Sequence, residues 1–104
     1  MTWNVHYLES VERWLDNLDK QQLKSLAKEI KLLELCGNQL KLPHSKSLGA
    51  GLFELRERKY GLRIYFTFDK NGMIVLLDAG DKTTQSRDIK NARTLLKHYQ
   101  EATL

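Results

Sequence analysis

The 104-residue chain has one cysteine, Cys36, and one proline, Pro43. A single cysteine excludes an internal disulfide and fits a reducing compartment, so the cytoplasm is the expected location. No apolar run approaches the ~20 residues that cross a bilayer, and no membrane partner is expected. The opening residues, MTWNVHYLESVER, lack the basic-then-apolar order of a secretory signal. The three histidines are widely separated and no carboxylate-rich cluster is visible, which points away from a metal centre; no cofactor is expected. Repeats and low-complexity tracts are also missing. What remains is ordinary for a globular protein, with 41% apolar and 29% charged residues. The length suits one domain, residues 1–104, that buries about two thirds of its unfolded surface.

The net charge of +4 is uneven. Residues 1–40 carry five Lys/Arg against six Asp/Glu, and residues 41–104 carry twelve against seven. The basic excess therefore lies in the second part of the chain, where it favours a polyanionic partner such as nucleic acid.

That part contains the best-patterned stretch, Gly51 to Gln85. Phe53 and Leu55 alternate with Glu54 and Arg56, and Ile64, Phe66 and Phe68 with Arg63, Tyr65 and Thr67. A period of two marks strands with one buried face. Met73 to Leu77 is apolar throughout, as in a strand covered on both sides. Asp69-Lys70-Asn71-Gly72 holds an Asn-Gly pair, a strong hairpin signal because both residues accept positive φ. Pairing apolar with apolar residues places Leu55 across from Ile64 or Phe66. Arg56 then faces Arg63 or Tyr65, so these three share one face. In a longer-loop register Arg58 joins them opposite Arg63. Like charges across a sheet repel, so the face is expected to meet an anion.

Around this core, Trp3, Val5 and Tyr7 alternate as a first strand. Ser10 is the expected N-cap of a helix with Val11, Trp14, Leu15 and Leu18 on one side. Asp19 with Gln22 resembles a capping box for a second helix, striped by Leu23, Leu26, Ala27, Ile30 and Leu33 and ended by Gly37. Gln39 to Ala50 reads as a basic loop. Thr84 or Ser86 caps a third helix lined by Ile89, Ala92, Leu96 and Tyr99. The expected fold is α+β: a small antiparallel sheet, an N-terminal αα-hairpin and a C-terminal helix, in the order β-α-α-β-β-β-α.

Three segments, LPHSKSLGAGLFELR, GLRIYFTF and IVLLDAGDKTTQSRDIKNA, give this order a family character. They carry Lys46, Leu48 and Gly51, then Glu54-Leu55-Arg56, Arg63, Lys82-Thr83 and Asp88-Ile89-Lys90-Asn91-Ala92. Together they resemble the RelE/ParE superfamily of type II toxin–antitoxin toxins, in particular the HigB-like addiction-module killer proteins. The resemblance implies a ribosome-dependent mRNA endonuclease silenced by a cognate antitoxin. In that branch the antitoxin is typically a helix-turn-helix protein that carries the pair to operator DNA. ParE relatives instead poison DNA gyrase, and an inactive interaction module of the same fold is a third reading. The chain lacks the basic, Tyr-bearing tail of classical RelE sites, ending in Glu101-Ala102-Thr103-Leu104, so no C-terminal catalytic residue is expected.

Metal-free cleavage through a 2′-hydroxyl has to rest on Arg, Lys and Tyr. The expected catalytic set is Arg56, Arg63, Lys82 and Tyr65. Lys41, His44, Lys46, Arg58, Thr83, Thr84 and Gln85 are expected to hold RNA or the ribosome. Plainer readings stand beside these. Arg56 pairs with Glu54 or Asp78, Lys82 and its threonines form a helix entry, Tyr65 packs across strands, and His44 is a surface residue. His6 and His98 carry no role, Cys36, Trp3 and Trp14 are core, and Lys20, Lys24, Lys28 and Lys31 form a solvated helix side.

Overall fold

The computed structural model describes residues 2–102. Its elements are β1 (Val5–Tyr7), α1 (Glu9–Leu15), α2 (Lys20–Cys36), a 3₁₀ turn (Gly37–Gln39), β2 (Ser45–Gly49), β3 (Leu52–Glu57), β4 (Leu62–Phe68), β5 (Ile74–Asp81) and α3 (Gln85–Ala102). The strands form one sheet in the order β1-β5-β4-β3-β2. β1 runs parallel to β5 and every other pair is antiparallel. The α+β fold with two N-terminal helices and a C-terminal helix is as expected. The sheet, however, is mixed and gains a strand from the segment read as a loop. β2 escaped notice because it is an edge strand, mostly exposed, with a register break between Ser47 and Gly49. Such a strand needs no apolar alternation.

Period-two alternation separates two cores. Leu55, Ile64, Phe66, Ile74 and Leu76 face α1 and α2, where Val11, Leu26, Ile30 and Leu33 close over them. Phe53, Phe66 and Phe68 pack there as a ring cluster with centroids 5.2–5.6 Å apart, and Trp3 joins at 5.2 Å from Phe68. On the opposite face Leu52, Tyr65, Val75 and Leu77 meet Ala92 and Leu96 of α3. β5 is thus buried on both sides, which explains its unbroken apolar run.

Local signals fared unevenly. The capping box is present: Asp19 Oδ1 accepts from the Gln22 amide at 2.8 Å, and Gln22 Oε1 from the Asp19 amide at 3.0 Å. Ser10 does not cap α1, which begins after Leu8 without a side-chain cap; its hydroxyl donates to the Leu77 carbonyl at 2.5 Å and ties α1 to β5. In the β4–β5 turn only Gly72 takes positive φ, at 80°. The Asp69 carboxylate organises that turn, accepting from the amides of Asn71 and Met73 at 2.8 and 2.9 Å. Asn-Gly therefore serves a longer turn built on an Asp, not a two-residue hairpin.

Candidate active site

The register decides the site. Leu55 pairs with Ile64, so Arg56 stands directly opposite Arg63, with Gly80 beyond it on β5. The neighbouring row runs Lys46, Glu54, Tyr65, Asp78 from β2 to β5. Both rows lie on the face that carries α3, whose first residue, Gln85, reaches back to them.

Glu54 holds this arrangement together. It is 0% exposed and receives three donors. Arg56 Nε and Arg63 Nη1 each donate to its Oε1 at 2.6 Å, and Gln85 Nε2 donates to Oε2 at 2.8 Å. Burial alone pushes a carboxyl pKa up. The hydrogen bonds from Arg56 and Gln85 and the charges of Arg63 and Arg56 outweigh burial, so the Glu54 pKa lies below its usual value. Glu54 is thus a carboxylate at neutral pH, an acceptor clamp and not a proton store. It also resolves the repulsion foreseen for two facing arginines, because one negative charge bridges them.

The clamp leaves cationic surface over. Two guanidinium groups on one carboxylate keep a net charge of +1 on the cluster. The Arg56 and Arg63 side chains remain 29% and 19% exposed. Arg56 binds Glu54 through Nε only, so its two terminal nitrogens stay available for a planar, two-pronged contact with phosphate. The Nε of Arg63 is buried without an acceptor.

Gly80 lets α3 approach this closely. A Cβ there would lie 1.8 Å from Asp88 Oδ2 and 2.6 Å from Thr84 Oγ1. Asp88 is itself buried and accepts from the Thr84 hydroxyl across the first turn of α3. Burial, reinforced by Asp88, raises the pKa of Asp78 beside them. Farther along α3, Arg93 donates to the Leu48 carbonyl at 2.9 Å, and Tyr99 to Asp69 at 3.2 Å. The helix is therefore fastened at both ends as well as by its apolar stripe.

The remaining expected site residues divide sharply. Lys82 is exposed; its amide donates to the Gly61 carbonyl at 2.9 Å, and its methylenes run along Gly61 in the β3–β4 turn. It borders an open depression of about 380 Å³ that Thr83, Thr84, Gln85, Ser86 and Arg87 also line, at the start of α3. Lys46 is exposed on β2, across from Glu54. Lys41 is exposed near the same edge. Thr83 is held by Asp81 through its amide and hydroxyl at 2.8 and 2.5 Å.

Three expectations need correction. Tyr65 shares the face of the arginines, but it is 0% exposed beneath α3 and its hydroxyl is buried without a partner. Burial, then the nearby Glu54 charge, raises its pKa well above the ordinary tyrosine value. It is a core residue, not a surface proton donor. Arg58 does not face Arg63, since the shorter register leaves it exposed in the β3–β4 turn. His44 is not a free loop residue: its Nδ1 lies 3.0 Å from Glu29 Oε2 on α2, which ties the segment before β2 to that helix. Glu54 does more than neutralise Arg56: it joins Arg56, Arg63 and Gln85, a role the sequence alone does not show. Its place on the arginine face follows from the same alternation that placed Arg56. Residues 103–104 of the C-terminal tail lie outside the described residues.

Comparison with known proteins places the sequence and the fold. Residues 13–100 match the family described as Phage derived protein Gp49-like (DUF891). A protein of Haemophilus influenzae without an assigned function is 34% identical over 97 residues, covering 91% of this chain and 94% of that one. A Mycobacterium tuberculosis protein named as a candidate toxin, HigB3, is 35% identical over 82 residues, covering 75% and 72%. In fold, the chain is similar to a free arginine mutant of the Escherichia coli toxin RelE, with TM-score 0.65 and 12% identity over 86% of this chain and 97% of that one. It is also similar to a chain of the M. tuberculosis RelBE2 toxin–antitoxin complex, with TM-score 0.61 and 20% identity over 79% and 100%. The family match over residues 13–100, the identity with HigB3 and the RelE-like fold place the chain in the Gp49-like family, within the RelE/HigB-like toxin superfamily.

Proposed function

We propose that this protein is the toxin of a type II toxin–antitoxin pair and that it blocks translation by cutting messenger RNA on the ribosome. The observation that carries this reading is the Arg56–Arg63 pair, clamped by one buried carboxylate with guanidinium surface left facing outward. Scission forms a bond from the 2′-oxygen to phosphorus and breaks the bond from phosphorus to the 5′-oxygen. It leaves a cyclic phosphate and a 5′-hydroxyl; the 2′-hydroxyl gives up a proton and the departing oxygen gains one. Negative charge builds on the non-bridging oxygens in between. Arg56 and Arg63 are the groups to receive it, and each well-aimed donor in such sites contributes about 3 kcal/mol. Lys82, at the rim, supplies an ammonium for the departing oxygen, and Lys46 and Lys41 hold flanking phosphates. Gln85 acts through Glu54, and Thr83 shapes the turn.

A cognate antitoxin, a helix-turn-helix protein that alone brings the pair to operator DNA, is the proposed partner. The likeness to HigB3 and to the RelBE2 toxin–antitoxin complex supports an antitoxin partner. Covering the basic face would silence the site directly. Induction in cells, followed by sequencing of RNA 5′-ends, tests the reading. Wild type is expected to arrest growth and create new mRNA ends. Arg56→Ala, Arg63→Ala and Lys82→Ala, checked for folding by circular dichroism, are expected to do neither. Arrest with intact mRNA and broken DNA would overturn the nuclease reading in favour of gyrase poisoning.

A further inference from the structure

A second cationic surface lies where α2 meets the β3–β4 turn. Lys24 and Lys28, one helical turn apart, share an open cleft of about 320 Å³ with Lys59 and Tyr60. The cleft is built, not incidental. Buried Glu57 accepts from the Tyr60 amide through both oxygens, at 2.8 and 3.1 Å, which fixes the turn. The Tyr60 hydroxyl donates to Gln21 Oε1 at 3.3 Å, which ties the turn to α2. Lys59 Nζ sits 5.4 Å from the centre of the Tyr60 ring. Among the described residues the ion pairs include Lys31 with Glu34, yet none involves Lys24, Lys28 or Lys59. Like charges at the spacing of Lys24 and Lys28 repel, and neither is held in an ion pair.

From this we infer that the cleft is a docking track for the phosphate backbone of an RNA strand, continuous with the arginine site. The continuity is structural: the turn that carries Lys59 and Tyr60 also carries Gly61, along which Lys82 is laid. The arginines lie on the α3 face and the cleft beside α2 on the other, so a strand leaving Arg56 and Arg63 passes Lys82 and wraps around the β3–β4 turn to reach α2. Ammonium groups spaced along a helix suit successive phosphates whatever the base sequence, and a tyrosine adds a stacking surface. An acidic peptide fits less well, because among the described residues that line the cleft Tyr60 alone offers an apolar anchor. The inference rests on the RNA-cleavage reading for the identity of the polyanion.

The test is binding of a 20-nucleotide single-stranded RNA, 2′-O-methylated to prevent scission, to the wild-type chain and to Lys24→Gln/Lys28→Gln. Plots of log K against log salt are expected to lose about 1.4 from their slope, since each phosphate contact on a single strand contributes about 0.7. Affinity at low salt is expected to fall at least about tenfold, with the thermal midpoint unchanged or slightly raised. An unaltered slope and affinity would overturn the inference, as would a variant that loses the antitoxin while keeping RNA. RNA-end sequencing reports on cleavage separately. If it shows uncut mRNA while the lysine variant still loses the oligonucleotide, the nuclease reading fails and the track stands.

Discussion

Replacing Glu54 by Gln tests the central claim about the site, that one buried carboxylate keeps two facing arginines in place. Gln preserves volume, so no cavity complicates the outcome. It removes the charge and presents an amide donor toward groups that are themselves donors. Arg56 and Arg63 then stand opposite each other, largely desolvated, with no counter-charge within the cluster. Breaking a buried ion pair by removing one partner costs about 3–5 kcal/mol. Partial exposure of both arginines argues for the lower end, about 3 kcal/mol. In a domain of this size that corresponds to a fall of roughly 12 °C in thermal midpoint. Urea and thermal unfolding of the two proteins measure it. Adding Arg63→Met to Glu54→Gln removes the repulsion, so the double variant is expected to be more stable than Glu54→Gln alone. A loss within about 0.5 kcal/mol, typical of an ordinary surface change, would refute the clamp. So would a double variant less stable than the single one.

Gly80→Ala drives a methyl into Asp88 and Thr84, both at the start of α3. A loss of about 1–3 kcal/mol by urea unfolding is expected, with α3 amides exchanging faster in hydrogen-exchange experiments. Asp19→Ala removes the capping box and is expected to cost about 1 kcal/mol, with Asp19→Asn recovering most of it. The pKa values of Glu54, Asp69 and Asp81 are lowered in the folded chain, Asp69 first by the Met73 amide and Asp81 first by the Thr83 hydroxyl. Their stabilisation is complete above the unfolded values of about 4 and is lost as pH falls through the lower folded ones. Asp78, raised by burial, opposes this trend. Urea midpoints between about pH 6 and 2 are therefore expected to drop on acidification, and less steeply in Glu54→Gln; a flat profile would contradict the assignment.

Much of the fold was legible because burial writes itself into the sequence. Alternation in β3 and β4 and the solid apolar run of β5 gave the strands, their faces and a short choice of registers. Leu55 against Ile64 then followed from packing, and with it Arg56 against Arg63. What failed was local chemistry overruled by tertiary contact. Ser10 looked like a cap and became a link between helix and sheet. Asn71 accepts positive φ in principle, but the Asp69 carboxylate selected a turn in which only Gly72 uses it. β2 left no pattern, since an exposed edge strand obtains its order from backbone pairing with β3.

The site was legible as a set of charges and illegible as a network. Sequence alternation places Glu54, Arg56, Arg63 and Tyr65 on one face without saying which of them α3 covers. Where the helix lies over the sheet, Tyr65 becomes core; just beyond its first residue, the arginines stay open. That boundary depends on Gly80, which admits Asp88 and Thr84 against the sheet and so fixes where α3 begins. It depends equally on Glu54, since without a buried anion two guanidinium groups sharing a rung repel each other. Repulsion between Arg56 and Arg63 is thus a cost the fold offsets with one carboxylate, leaving one positive charge over. Stability alone would be served by one arginine fewer; two arginines clamped in a fixed geometry fit the proposed role of meeting phosphate.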